Sequence, residues 1–252
     1  MQHCIITLAE AIQRKQPAVL ATVVEARGAS PARTGAQIVL RADGQTDGTV
    51  GGGKLEAAIL ADARSALAAG QPQLKRYSLT EEGPDAVGTL CGGEVRVYFQ
   101  VYLPPPRLVI VGGGHIGRPL KGMAEAAGFE VTVVDVEAGR ATAPALSTVD
   151  VTPDTYVVLV TTDHVSDEAA LRQLIDSPAP YIGMIGSQAK CRAIREHLRA
   201  DGYTSNALNR VYAPIGLNLG GSTPGEIAVA ILAEIVAVRQ GGDGAMRSRG
   251  DM

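Results

Sequence analysis

The sequence predicts an α/β protein in which a Rossmann-like, doubly wound parallel sheet forms the C-terminal part and a smaller α+β domain precedes it. Three observations predict this class. Beyond residue 107, near-continuous apolar strands alternate with helix-period segments, the pattern of a parallel sheet buried on both faces. The first of those strands runs into the glycine turn VIVGGGHIG. Pro104, Pro105 and Pro106 form a stiff segment that cannot continue a strand ladder and so serves as a linker. At 252 residues the chain exceeds the usual size of one domain, and with 46% hydrophobic and 19% charged residues it can pack two cores.

The N-terminal segment MQHCIITLAEAIQRKQ has neither the basic region nor the apolar run and cleavage site of an export signal, and it reads as an amphipathic helix. AVLATVVEA, ending at Gly28, and AQIVLRADG, ending at Asp43-Gly44, are strands separated by the broken loop RGASPARTG. GTVGGGKLEAAILADARSALAAG then passes from a strand through Gly51, Gly52 and Gly53 into an alanine-rich helix closed by Gly70. A second glycine turn, Gly88 to Gly93 around Cys91, leads into a strand whose alternating Val95, Val97, Phe99 and Val101 face a core. The N-terminal domain is thus expected over 1–103, with 104–106 as the linker.

The C-terminal domain, 107–240, reads as strand RLVIV, helix RPLKGMAEAAG, strands EVTVVD and TYVVLVTT, helix DEAALRQLID, strand YIGMIG and helix QAKCRAIREHLRADG. Its last helix opens at Thr223-Pro224-Gly225-Glu226, with Thr223 as N-cap and Glu226 placed for a capping box, and ends near Gly241. The apolar stretch IAVAILAEIVAV in that helix is interrupted by Glu234 and falls short of the roughly 20 apolar residues of a membrane span, so a buried helix is expected. The tail 241–252 is expected to be disordered.

Composition narrows the partners. A net charge of −3 without a basic run gives no electrostatic case for nucleic acid or an anionic bilayer, and 4% aromatics with no Trp leaves no row of stacking rings for single strands. Cys4, Cys91 and Cys191 are too few and too scattered for a disulfide framework, and with the missing export signal they place the protein in the reducing cytoplasm.

In the fingerprint, Gly112 permits the tight turn, Gly114 lets backbone N–H groups approach a pyrophosphate and Gly117 packs helix against strand. Asp135 ends the next strand about twenty residues on, where a carboxylate can bind a ribose hydroxyl. The same residues can also close a turn and cap a strand with no nucleotide bound, because fold does not fix function. His115 starts the helix, beside a bound anion or simply facing solvent. Thr161, Thr162, Asp163 and His164 fall beyond a strand end, where α/β proteins place ligand contacts. Asp163 and His164 can orient a ligand or move protons there, or they can merely start the next element. Ser187, after Gly183 and Gly186, is placed as an N-cap.

In the N-terminal domain, Gly51-Gly52-Gly53-Lys54-Leu55-Glu56 lacks the upstream spacing and the following Ser or Thr of a phosphate loop, so nucleotide triphosphate hydrolysis of that type is not expected. Cys91, flanked by glycines, is the accessible thiol candidate, although a small buried residue in a tight turn reads equally from the pattern. Cys191 and Cys4 read as structural. No His/Cys cluster has zinc spacing and no Gly-x-Ser-x-Gly turn occurs.

Taken together, GTVGGGKLEAAI, LCGGEVRVYF, VIVGGGHIGRPL, VTVVD, YIGMIGSQAKCRAIREHL and APIGLNLGGSTPGEIAVAILAEIVAVR, in that order, resemble the XdhC/CoxI family over nearly the whole chain. These are accessory proteins of molybdenum hydroxylases such as xanthine dehydrogenase. The resemblance implies a carrier that binds molybdenum cofactor (molybdopterin) as cargo, protects it during sulfuration by a cysteine desulfurase and inserts it into the apo molybdenum hydroxylase, without turning over a substrate. It carries a metal contact to Cys91, in the family's Cys-Gly-Gly motif with Gly92 and Gly93. Weaker contacts follow at Gly52, Gly53, Lys54 and Glu56. Lys54 stands where the CoxI-like branch tends to have cysteine, and Thr162 stands where many relatives have histidine before Asp163-His164, which removes a sulfur ligand and a paired-histidine role. The pterin phosphate fits the backbone donors of Gly112 to Gly117 at a helix N-terminus. A homodimer is a further expectation.

Two other readings compete. The glycine fingerprint, Asp135 and Asp163-His164 also fit an NAD(P)-dependent oxidoreductase, with Arg140 leaving the choice between NAD and NADP open. A docking module whose Rossmann-like half binds nothing is the third.

Overall fold

The computed structural model describes residues 2–83, 85–89, 92–137 and 139–242, and the chain divides into two compact units, Met1–Pro104 and Pro105–Met252. It is a mixed α/β protein: the first unit has an antiparallel sheet with two helices, the second a five-stranded parallel sheet covered on both faces.

In the first unit, β1 (Ala18–Arg27), β2 (Gln37–Arg41), β3 (Thr46–Thr49), β4 (Gln73–Ser78) and β5 (Glu94–Tyr102) lie in the order β3-β2-β1-β5-β4, all antiparallel. Period-2 alternation sorts β1 between two cores. Val19, Ala21 and Val23 join Val95, Val97 and Phe99 under α2 (Gly53–Ala69), which contributes Leu55, Ile59, Ala63 and Ala66. Ala18 and Leu20 turn the other way, toward α1 (Gln2–Gln13), where Cys4, Leu8 and Ala11 recur at helical spacing. Gly70 ends α2 in the left-handed conformation with φ 65°, as its place after the alanine-rich run predicts. Edge strand β4 is an addition to the strands read from the sequence, and β3 begins two residues before the strand read at GTV.

In the second unit, β6 (Arg107–Val111), β7 (Glu130–Val134), β8 (Thr155–Leu159), β9 (Tyr181–Met184) and β10 (Val211–Tyr212) run parallel in the order β7-β6-β8-β9-β10. This is the shorter of the two common doubly wound orders, and its direction of winding changes between β6 and β8. Helices α3 (Gly117–Ala126) and α7 (Pro224–Arg239) cover one face, with Leu120, Ala124, Ala228, Ile231 and Ile235 against Leu108, Ile110 and Val158. On the other face, α4 (His164–Leu174), α5 (Gln188–Ala200) and the short α6 (Ser205–Asn209) pack Ala170, Leu171, Leu174, Ile194, Leu198 and Leu208 against Val109, Val157 and Ile182.

The caps fall where the sequence puts them. Thr223 Oγ1 accepts from Glu226 N while Glu226 Oε2 accepts from Thr223 N at 2.9 Å, the reciprocal box expected at α7. Gly241 and Gly242 close that helix, Gly242 N–H donating to Ala237 O at 2.8 Å. The rest of the tail, 243–252, lies outside the described residues, so the disorder expected there has no structural counterpart to compare. Among the described residues no helix is long and apolar enough to cross a membrane.

Candidate functional site

The strand ends of the second unit are level: Val134, Val111, Leu159 and Met184 stand in one row of the ladder across β7, β6, β8 and β9. The residues that follow, Asp135, Gly112, Thr161 and Gly186, therefore line one edge of the sheet, on either side of the point where the winding reverses. The structure thus brings the glycine turn, Asp135 and the Thr161–His164 segment together.

Three glycines of the turn do three different things. Gly112, at φ 109°, passes so close to β8 that an added Cβ would meet Val160 O at 2.5 Å. A Cβ on Gly117 would stand 1.9 Å from Gly112 O, so the bare α-carbon is what lets α3 approach β6. Gly114 differs, since nothing lies within 4 Å of a Cβ placed there. That is the position at which a phosphate group reaches the backbone in this kind of turn. His115 beside it is exposed.

Asp135 is committed locally. Its Oδ2 accepts from Gly113 N at 2.6 Å and its Oδ1 from Glu137 N at 2.8 Å, so the carboxylate braces the glycine turn from the β7 side. Asp163 is the N-cap of α4: Oδ1 accepts from Ser166 N at 2.7 Å, and the hydrogen bonds from Ser166 hold its carboxyl below the usual range. His164 is the first residue of that helix and is exposed. Ser187 caps α5 by accepting from Lys190 N at 3.2 Å.

One charged cluster on this edge is absent from the site residues read in the sequence. Asp167 is fully buried, its Oδ1 accepting from Thr161 Oγ1 at 2.6 Å and its Oδ2 from Lys190 Nζ at 2.5 Å. A periodicity signal was available: Asp167 shares the buried stripe of α4 with Ala170, Leu171 and Leu174. Glu234 gives the same signal between Ile231 and Ile235. Its buried Oε2 accepts from Tyr181 OH at 2.5 Å and from Gly216 N at 3.0 Å, tying the loop after β10 to the core. Cys191 is buried, and burial pushes its thiol up while Lys190 and Arg195 pull the other way.

In the first unit, three loops meet at one end of the sheet, where β1 and β3 finish and β5 begins. Gly52 and Gly53 have φ 73° and 62° and nothing within 4 Å of an added Cβ. Glu56 clamps their turn from within α2, its Oε2 accepting from Thr49 Oγ1 at 2.6 Å, Val50 N at 3.0 Å and Gly52 N at 3.2 Å. Partial burial pushes that carboxyl up, but the three hydrogen bonds outweigh it and hold it below its usual value. Lys54 Nζ donates to Gly88 O at 2.7 Å, linking the GGGK turn to the second glycine turn. Gly93 touches the loop after β1, where an added Cβ would meet Ala29 O at 2.6 Å, and Gly92 N–H donates to Leu79 O at 2.8 Å. Cys91 itself lies outside the described residues. Among the described residues no group of three or more His, Cys, Asp or Glu is placed to hold a metal ion.

The second unit is a Rossmann-like domain whose glycine turn opens onto a level strand-end edge. The family profile described as XdhC Rossmann domain matches residues 108–235, and that of the XdhC and CoxI family matches residues 11–78. The chain belongs to the XdhC/CoxI family. It is 33% identical over 246 residues to an uncharacterized Escherichia coli K12 protein, YqeB, covering 91% of this chain and 45% of that one. It is 24% identical over 280 positions to the E. coli molybdenum cofactor insertion chaperone PaoD, covering 91% and 86%. A Bacillus subtilis 168 protein, described as a probable component of xanthine dehydrogenase, is 26% identical over 159 residues, covering 57% and 46%. The chain thus spans about half the length of two of these three relatives. A crystal structure described as a xanthine dehydrogenase from Bacillus halodurans shares the fold with a TM-score of 0.50 at 20% identity, covering 98% of this chain and 97% of that one.

Proposed function

We propose that this protein is a molybdenum cofactor carrier, with domains 1–103 and 107–240 joined by 104–106, that hands its cargo to an apo molybdenum hydroxylase of the xanthine dehydrogenase type. Open space above Gly114, at the strand-end edge of a chain in the XdhC/CoxI family, carries this reading. The name of PaoD, a molybdenum cofactor insertion chaperone, supports the cargo, and that of the B. subtilis relative supports the class of recipient.

On this proposal the anionic tail of the pterin sits on backbone N–H groups of Gly112 to Gly117, where the α3 N-terminus offers unpaired donors and a favourable dipole. Asp135 serves by bracing that turn through Gly113 N. In the first unit, the Cys91 thiolate is the soft ligand offered to molybdenum, beside the turn at Gly92 and Gly93. Glu56 keeps Gly52 and Gly53 in their conformation through Thr49, Val50 and Gly52. Protection during sulfuration by a cysteine desulfurase and pairing as a homodimer belong to the same proposal.

The reading as an NAD(P) oxidoreductase ranks second, because both oxygens of Asp135 already accept protein N–H groups and Asp163 is spent as a cap. The test is anaerobic purification from cells that make the cofactor, with molybdenum and pterin measured in the wild type, Cys91→Ala and Gly114→Ala. Pterin is expected with the wild type and less of it with either variant. A wild type free of pterin under anaerobic handling overturns the proposal.

A further inference from the structure

We propose that Lys190 is the cation that binds the phosphate-type anion of the C-terminal unit, with Asp167 as the residue that positions it and limits its affinity. The inference deepens the carrier reading of the same edge. It starts from a physical cost. A buried carboxylate and its ammonium partner lose more hydration than their mutual attraction returns in most cases, so such a pair is a poor device for stability. Here the carboxylate is completely buried while the lysine side chain retains 23% exposure, so the pair lies at the boundary between core and solvent.

Its surroundings point to the edge of the sheet. Lys190 lies in the first turn of α5, directly after the end of β9, and its stem crosses Gly186, where a Cβ would stand 2.9 Å from Lys190 Cδ. Asp167 connects it to Thr161, the backbone N of which would lie 3.1 Å from a Cβ on Gly112. A continuous run of contacts therefore leads from the glycine turn through Thr161 and Asp167 to the ammonium. An ammonium has three N–H donors, and among the described residues Asp167 is its one hydrogen-bonded acceptor. Arg140, on the β7 side of the turn, is instead paired with Glu137 at 3.1 Å. Backbone donors at Gly114 and a side-chain cation across the switch point are the two parts an anion of this class needs.

Lys190 and Asp167 then predict effects of opposite sign, which a structural ion pair does not. Binding of inorganic pyrophosphate and of ADP to the purified full chain, by calorimetry, is the measurement. Lys190→Met removes a charge-assisted contact and is expected to weaken both by about tenfold or more. Asp167→Asn retains an acceptor for Lys190 and a partner for Thr161 but removes the competing negative charge, and is expected to tighten both several-fold. Because Lys190→Met strands a buried carboxylate, the double variant Lys190→Met/Asp167→Asn, which buries no lone charge, is measured beside it. It is expected to melt near the wild type and to bind about tenfold or more weaker than Asp167→Asn alone.

The proposal is overturned if the folded double variant binds as tightly as Asp167→Asn, if Asp167→Asn binds more weakly than the wild type, or if the wild type binds neither probe. Failure here is separable from failure of the carrier reading. A wild type that binds pyrophosphate through Lys190 yet co-purifies without pterin overturns the cargo and leaves this site standing. A folded double variant that carries as much pterin as Asp167→Asn does the reverse.

Discussion

Gly117 and Gly114 lie three residues apart in one turn, yet the same substitution to alanine has different consequences at each. At Gly117 the new methyl would stand 1.9 Å from Gly112 O and 3.2 Å from Ile110 Cγ2. Carbon and carbonyl oxygen approach to about 3.3 Å without penalty, so the overlap is roughly 1.4 Å, and the atom in the way is backbone. Relief requires α3 to lift from β6, away from the core that Leu120 and Ala124 share with Ile110. Overpacking costs typically 1–3 kcal/mol, and a rigid obstacle places this case near ~3 kcal/mol. For a unit of this size that lowers the melting temperature by roughly 6–12 °C. At Gly114 nothing meets the methyl within 4 Å and φ lies outside the left-handed range, so stability changes by less than about 0.5 kcal/mol. With no Trp in the chain, circular dichroism during urea and thermal unfolding is the suitable readout. Equal stability of the two variants would refute the assignment of Gly117 to packing. A Gly114→Ala protein that unfolds early would refute the open space assigned to that position.

Three further predictions concern the supports of the site. Glu56 has its carboxyl held below the usual 4.5, so its contribution to stability is fully present above that pH and disappears as pH falls through the lowered folded value; Glu56→Gln is expected to be less stable at neutral pH and to converge with the wild type in acid, in urea titrations across that range. Glu234→Ala takes the acceptor from Tyr181 OH and Gly216 N inside the core and is expected to cost roughly 3 kcal/mol, with hydrogen exchange accelerating first at Gly216 and Leu217. Thr223→Ala breaks the capping box of α7 at a cost of about 1 kcal/mol, measured by urea unfolding, while leaving anion binding unchanged.

What the sequence made legible follows from local physics. The strands of the parallel sheet are buried on both faces and so appear as unbroken apolar runs; Gly70, Ser187 and Thr223 mark helix ends because their chemistry is set within four residues. The missed strands lack such signals. β4 is QLKRYS with a single buried residue, Tyr77, and β10 is only the pair Val211–Tyr212, so neither carries an apolar alternation. Both lie at sheet edges, where pairing with an inner strand holds them. The site divides along the same line. Gly112, Gly114 and Gly117 follow from spacing, whereas the Lys190–Asp167 pair joins residues 23 apart on two helices and emerges only when β8 and β9 are placed side by side. The local roles of Asp135 and Asp163 stood in the sequence only as one of two alternatives, since a carboxylate at a strand end reads the same whether it faces a ribose or its own turn.

A carrier differs from an enzyme in what its binding free energy is for: tight holding that does not differ between loaded and receiving states delivers nothing. Backbone donors at Gly114 bring direction without net charge, and Lys190, on the proposal above, arrives already opposed by Asp167, so an incoming anion must compete with a buried carboxylate for the same ammonium. That competition sets an upper limit on affinity and leaves the recipient surface able to draw the cargo away. Asp167→Asn removes the limit while keeping the hydrogen-bond geometry. The variant is therefore expected to purify with more pterin than the wild type and yet to activate an apo molybdenum hydroxylase more slowly, as seen in the time course of activity after mixing. If Asp167 were only a structural partner for Lys190, loading and delivery would fall together.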